Sequence, residues 1–200
     1  KGTYGHALLI AGSFGKMGAA VLASKACLRA GVGLLTSHVP RMGYAIIQTA
    51  VPEAMASVDQ HDSMFTEFPD LLPFSAVGVG PGLDQKQNSC RALCSLLEKS
   101  KVPLVLDADA INILSKNPDW LTRLPMNSIL TPHPGEFKRL VGETKNSHES
   151  IQKQKSCLRQ ATSAGQESVV VLAFPLLHLG WSMQNSCPAA IPPKSHCSRW

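Results

Sequence analysis

The sequence predicts an α/β fold with a mainly parallel sheet flanked by helices, and three observations carry that expectation. Short apolar runs recur, HALLIA at 6–11, LLTSHV at 34–39, SAVGV at 75–79, PLVL at 103–106 and ESVVVL at 167–172, each of a length suited to a buried strand. Stretches with helical spacing separate them at intervals of roughly 25–30 residues, the rhythm of right-handed βαβ crossovers. Glycine- and proline-rich turns follow several runs on their carboxyl side, and that edge of an open α/β sheet is where ligands bind.

Taken in order, His6–Ala11 is the first strand, Gly12–Gly18 (GSFGKMG) a turn, and Ala19–Ala30 a helix that sorts Val21, Leu22, Lys25 and Leu28 onto its faces. Such a turn admits a ligand to bare backbone beside a helix start, and it equally serves tight strand–helix packing. It spells neither a Walker loop nor GxGxxG. Gly31-Val32-Gly33 ends the helix and Leu34–Val39 forms a second strand. Met42–Gln48 reads as a helix and Val51–Met55 as an extended piece. Ser75–Val79 is a strand closed by the glycines of GVGPGL, and Gln85–Ser100 a helix with Leu93, Cys94, Leu96 and Leu97 near one face. After the strand Pro103–Leu106, Asp107-Ala108-Asp109-Ala110 caps a helix at Ile111–Ser115. Asp107 is the candidate for chemistry, through Mg²⁺-bound water, a held hydroxyl or proton transfer, and Asp109 the candidate N-cap. Pro118–Leu124 makes a turn and short helix.

Ile129 and Leu130 read as a strand end that Thr131-Pro132-His133-Pro134-Gly135 must stop, since two prolines and a glycine continue neither ladder nor helix. Glu136 then opens a helix with Phe137, Leu140 and Val141 on one face. A polar helix at His148–Ala164 and a strand at Glu167–Leu172 complete the pattern.

The 200 residues suit one sizeable domain, and 44% hydrophobic with 16% charged content is a globular profile rather than a disordered one. The net charge of +5 suits anionic small molecules, but it forms no basic block interleaved with aromatics, so no nucleic-acid partner is expected. No apolar run reaches the ~18 residues of a membrane span and no secretory leader opens the sequence, so a cytoplasmic location and no membrane partner are expected. Six scattered cysteines, Cys27, Cys90, Cys94, Cys157, Cys187 and Cys197, form no CxxC pair, indicating neither a zinc site nor a disulfide framework. Cys90 and Cys94 lie one helical turn apart, a spacing that core packing explains better than a metal.

In order and spacing, KGTYGHALLIAGSFGKMGAAVLASKACLRAGVGLLT, VPEAM, VGVGPGL, VLDADAINIL and ILTPHPGEFKRLVG closely resemble the NAD(P)H-hydrate dehydratase family, a ribokinase-like group often joined behind an NAD(P)H-hydrate epimerase domain. The resemblance spans about residues 1–172. It implies repair of damaged nicotinamide cofactors: ADP or ATP, with Mg²⁺ as a candidate metal, drives loss of water from NADHX or NADPHX. It further implies that Ala19 or Ala20, Gly82, and the run His133, Pro134, Gly135, Glu136, Phe137, Lys138 and Arg139 line the hydrate's pocket. Within that set His133 is the expected polar contact, with Asp107 in support. A homo-oligomer is implied as well. Asp84 stands where the family often has glycine.

Beyond Leu172 the likeness stops. The family continues with a Lys-Gly segment and a GSGDVL-like run whose amides cradle the transferring phosphate and whose Asp is the general base. Residues 173–200 contain no acidic residue, and no glycine follows Gly180. They read as a non-matching tail, out of frame or disordered, and without the cradle and base the chain as written is expected to be inactive. Two other functions fit the scaffold: a ribokinase-like small-molecule kinase, against which TPHPGEF weighs, and a catalytically dead dinucleotide-binding remnant.

Overall fold

A computed structural model describes residues 2–143 and the pair 170–171. Among the described residues seven strands form one sheet in the order β3-β2-β1-β4-β5-β6-β7, and all six pairings are parallel. They are β1 (His6–Ile10), β2 (Leu34–Val39), β3 (Met55–Val58), β4 (Ala76–Val79), β5 (Leu104–Leu106), β6 (Ile129–Leu130) and β7 (Val170–Val171). Helices α1 (Met17–Arg29), α2 (Tyr44–Ala50), α3 (Gln87–Lys99), α4 (Asp109–Lys116) and α5 (Pro134–Val141) make the crossovers, with 3₁₀ turns at Gly2–Tyr4, Arg41–Gly43 and Pro118–Arg123.

Alternation along β1 sets the two layers, because successive side chains of a strand point to opposite faces. Leu8 and Ile10 join Val77, Val79, Leu104, Leu106 and Leu130 under α3 and α4, in a core that includes Leu93, Leu96, Ile111 and Leu114. Leu9 and Ala11 turn the other way, onto Met17 and Ala20 of α1, Ile47 of α2, and Leu35 and Val39 of β2. Helix α1 buries only the narrow stripe Met17, Ala20 and Ser24, whose hydroxyl meets Ser37 at 2.8 Å. Leu22 is therefore left outside.

Most of the elements expected within the described residues are present with shifted ends. Helix α1 begins at Met17, two residues before its expected start, and α5 at Pro134, where a proline's missing N–H is harmless because the first-turn donors have no intrahelical partner. The extended piece expected at Val51–Met55 is instead a turn, closed by the Ala54 N–H on the Val51 carbonyl, and the strand begins at Met55. The polar helix expected at 148–164 lies outside the described residues, and of the strand expected at 167–172 only the pair 170–171 lies within them, where it extends the sheet beside β6.

Candidate active site

Strand order reverses between β1 and β4: the chain runs outward through β2 and β3, returns to β4 on the other side, and continues to β5 and β6. Turns that leave β1 and β4 at their carboxyl ends thus diverge over one crevice, the usual ligand position in such sheets. Both are the glycine-rich turns. Their inner backbones are stitched together, with the Gly12 N–H donating to the Pro81 carbonyl at 2.9 Å and Ser13 Oγ to the Gly82 carbonyl at 2.7 Å. A Cβ on Gly82 would lie 2.8 Å from the Lys16 carbonyl oxygen and 3.0 Å from the Ala19 methyl, so glycine is what lets the turns touch.

The rim continues along the sheet because each strand end donates one more hydrogen bond to its neighbour. Gly80 N–H bonds the Ile10 carbonyl, Asp107 N–H the Val79 carbonyl, and Thr131 N–H the Leu106 carbonyl. Above that ladder sits Asp109. Its Oδ2 accepts from the Asp84 N–H at 2.9 Å and lies 3.3 Å from Lys16 Nζ, while its Oδ1 accepts from Gln85 Nε2 at 3.0 Å and, at 3.5 Å, from Asn112 Nδ2. Asn112 Oδ1 in turn accepts from Arg139 Nε at 2.9 Å. One carboxylate thereby links the β1 and β4 turns to the helix after the PHPG turn. Burial pushes the Asp109 carboxyl up, but Gln85, the Asp84 amide and Lys16 outweigh it and hold it below the ordinary carboxylate range.

This corrects the expected role of Asp109 as an N-cap. Ala108 occupies that position with φ +48° and ψ −118° and supplies no side-chain cap. Residues other than glycine hold such backbone only at a cost, and such strain gathers at ligand sites. Ala108→Gly is expected to raise stability by about 1 kcal/mol, which a thermal melt would register as roughly 2–4 °C. Asp84 is also left-handed, at φ +71°. The loop has the backbone that glycine favours, and Asp fits it by accepting the Gln85 N–H at 2.7 Å.

The PHPG turn forms its own cap. Gly135 N–H donates to His133 Nδ1 at 3.0 Å, and Glu136 Oε2 accepts the His133 N–H at 3.0 Å, a reciprocal capping box. Since Nδ1 accepts, Nε2 carries the imidazole proton, and it faces Glu136 Oε1 at 3.1 Å. Of the expected pocket residues, His133, Pro134, Lys138 and Arg139 are exposed, and Gly135 and Gly82 half-exposed, along this edge. Ala19 touches the position of Gly82, whereas Ala20, Glu136 and Phe137 are buried, Ala20 and Phe137 within the cores. Lys138 pairs with Glu143 at 2.8 Å. The Asp107 carboxylate takes no hydrogen bond among the described residues. Among those residues no group of three or more His, Cys, Asp or Glu side chains is placed to hold a metal ion.

Sequence reasoning missed Asn112 and the floor of the crevice. Asn112 was legible, three residues after Asp109 on one helix face. The floor is the segment Asp59–Glu67, which carries no periodicity: Phe65 lines one small cavity with Gly12 and Leu83, and the Ser63 carbonyl accepts the Phe14 N–H at 2.8 Å.

A parallel α/β domain with a ligand rim of this kind is the class that fold and site define. The chain belongs to the NAD(P)H-hydrate dehydratase family, whose profile matches residues 7–174. It is 38% identical over 152 residues to a bifunctional NAD(P)H-hydrate repair enzyme of Moorella thermoacetica, covering 72% of this chain and 29% of that protein. Among solved structures, the ADP/ATP-dependent NAD(P)H-hydrate dehydratase of Bacillus subtilis, co-crystallised with ATP/Mg²⁺ and soaked with CoA, superposes with TM-score 0.57 at 29% identity, covering 83% of this chain and 58% of that one. A ribokinase-like superfamily protein of Enterococcus faecalis shares the fold, with TM-score 0.63 at 22% identity over 78% of this chain and 55% of its own. The chain thus spans less than two thirds of each. Among the described residues no helix is long and apolar enough to cross a membrane.

Proposed function

We propose that this chain forms the hydrate-holding side of a nucleotide-dependent NAD(P)H-hydrate dehydratase, taking NADHX or NADPHX along the carboxyl rim of β1, β4, β5 and β6. What supports this reading is the hydrogen-bonded line from Lys16 through Asp109 and Asn112 to Arg139, joined at Asp109 by the Asp84 N–H, which ties the segments following β1, β4, β5 and β6 together. Three strand spacings of ~4.8 Å set the β1 and β6 turns about 14 Å apart, a span suited to a dinucleotide rather than a small sugar or pyrimidine. Lys16, Lys116 and Arg139 give the rim cations for the diphosphate, while the Asp107 carboxylate, which takes no hydrogen bond among the described residues, is offered to a ring hydroxyl or its proton.

ADP or ATP, with Mg²⁺ travelling on its phosphates, would supply the phosphoryl group that makes the ring hydroxyl a leaving group. The side chains named here position the ring and stabilise charge. None of the described residues is assigned to that nucleotide. The GSGDVL-like cradle is not in the sequence, and losing such donors costs about two to three orders of magnitude for each. An epimerase domain, self-assembly and a cytoplasmic location belong to the same proposal.

The purified chain is expected to bind NADPHX in calorimetry. With ADP or ATP added, NADPH absorbance should stay at the uncatalysed rate. Absence of binding would overturn the reading, and nucleotide-dependent phosphorylation of a thiazole or pyrimidine would replace it with the kinase.

A further inference from the structure

The turn from Phe14 to Gly18 carries three features that packing does not explain. Phe14 is 70% exposed, yet its backbone is fixed by the bond from its N–H to the Ser63 carbonyl, so the ring is presented from an anchored position. Gly18 lies in the first turn of α1, where glycine is a poor helix former, and a Cβ there would meet nothing within 4 Å. Neither sterics nor backbone demands glycine at that position. It contrasts with Gly82, whose missing Cβ is required by the neighbouring turn. Lys16, between them, holds its ammonium 3.3 Å from Asp109 Oδ2 with about half of its side chain open to solvent.

A single exposed phenyl is ordinary on a protein surface. Here it shares five residues with a cation braced by a carboxylate and a glycine whose face is empty, all on the turn at the strand-order reversal. Reacting groups lie toward β5 and β6, at Asp107 and His133, so this end of the rim faces the part of a bound dinucleotide that does not react. Contacts to such remote parts supply the binding energy that positions the reacting ring.

We propose that the outward face of the Phe14–Gly18 turn grips the non-reacting portion of the dinucleotide: Phe14 stacks on a flat heteroaromatic ring, Lys16 meets the diphosphate, and Gly18 leaves room for the ligand against bare backbone. The proposal rests on the reading that the rim takes NAD(P)H hydrate. Phe14 and Gly18 are thus specificity-determining positions, and the flat ring is the adenine.

Calorimetry on the whole chain with NADPH as probe, paired with thermal melts, tests it. Phe14→Ala should weaken binding about tenfold or more, at the low end of ring stacking on an aromatic side chain, while Phe14→Tyr restores it and neither variant shifts the melt. Gly18→Leu should abolish binding while the melt holds or rises, since leucine forms helix better than glycine. Lys16→Gln should weaken binding and flatten its dependence on salt. Titrating the halves should show the affinity for AMP falling with Phe14→Ala and that for reduced nicotinamide mononucleotide unchanged; a fall confined to reduced nicotinamide mononucleotide would overturn the proposal. If the unaltered chain binds NADPH and both Phe14→Ala and Gly18→Leu bind within twofold of it, this proposal is overturned alone. A lowered melt for Gly18→Leu would assign that glycine to the fold and also overturn it. If the unaltered chain binds no NADPH, the proposed function falls, and this inference with it.

Discussion

Gly80→Ala is expected to be among the most damaging single changes in the domain. At φ +132° the backbone disfavours any side chain, and a Cβ placed there would sit 1.8 Å from the Asp107 carbonyl oxygen and 2.9 Å from the Ala110 methyl. The clash is with backbone, which has no rotamer to escape into, and on both sides strand ends fix it: Gly80 N–H on Ile10 and Asp107 N–H on Val79. The change therefore has to pry β4 from β5 where the rim is built. We expect a loss above ~4 kcal/mol, in the range reserved for overpacking against rigid structure, or a melting temperature lower by roughly 8–16 °C. Gly18→Ala makes the control: the same chemistry on a face with open space should leave the melt unchanged or raised.

Asp59→Ala should cost nearly as much by a different route. This carboxylate is 1% exposed and accepts the His61, Thr66 and Glu67 N–H groups and the Thr66 hydroxyl, with His38 Nε2 3.5 Å from Oδ2. At that length the imidazole contact is weak, and His38 Nε2 has no hydrogen-bond partner among the described residues. Its Nδ1 pairs with Ser57 Oγ at 2.9 Å. Alanine would strand several buried donors at once, for a loss of about 3–5 kcal/mol. Segment 59–67 would loosen, and with it the Phe65 and Ser63 contacts beneath both glycine turns, so NADPH affinity should fall too.

The same residue makes stability depend on acid. Burial pushes the Asp59 carboxyl up, but the nearby His38 imidazole and hydrogen bonds from Thr66 and His61 outweigh it and hold it well below the ordinary carboxylate range. A depressed native pKa stabilises the fold fully above the unfolded value of about 3.9, and that stability is lost as pH falls from there toward the native value. Urea melts between about pH 5 and pH 2 should show this loss in the unaltered chain. Asp59→Asn, less stable at neutral pH, should lack that part of the slope.

The layered architecture was legible because strand and helix periods differ and every glycine-rich turn sits at a strand end. What was not legible follows from physics that local pattern does not encode. Strand order depends on which apolar runs meet, so the sequence could not place the reversal between β1 and β4, nor predict that Gly12 and Gly82, 70 residues apart, share one seam. The segment Asp59–Glu67 is held by a buried carboxylate and one phenylalanine, neither of which leaves a period. Asp107 and Asp109 look alike in LDADA, but the positive φ of Ala108 turns Asp109 toward the turns of β1 and β4. Asp84 stands where the family often has glycine, and its left-handed backbone supplies the physical reason. The likeness of TPHPGEF pointed to His133, whose side chain also caps α5. Any ligand contact must use what the cap leaves open.

The most direct trial of the shared rim is an amide chemical-shift map of the labelled chain titrated with NADPHX. The account predicts that the shifts gather at Gly15, Gly18, Gly82, Asp84, Asp107 and Gly135 and saturate together with one affinity. Shifts confined to the opposite ends of the strands, at Gly5, Gly33 and Ser128, or separate saturation of the β1 and β6 turns, would contradict it.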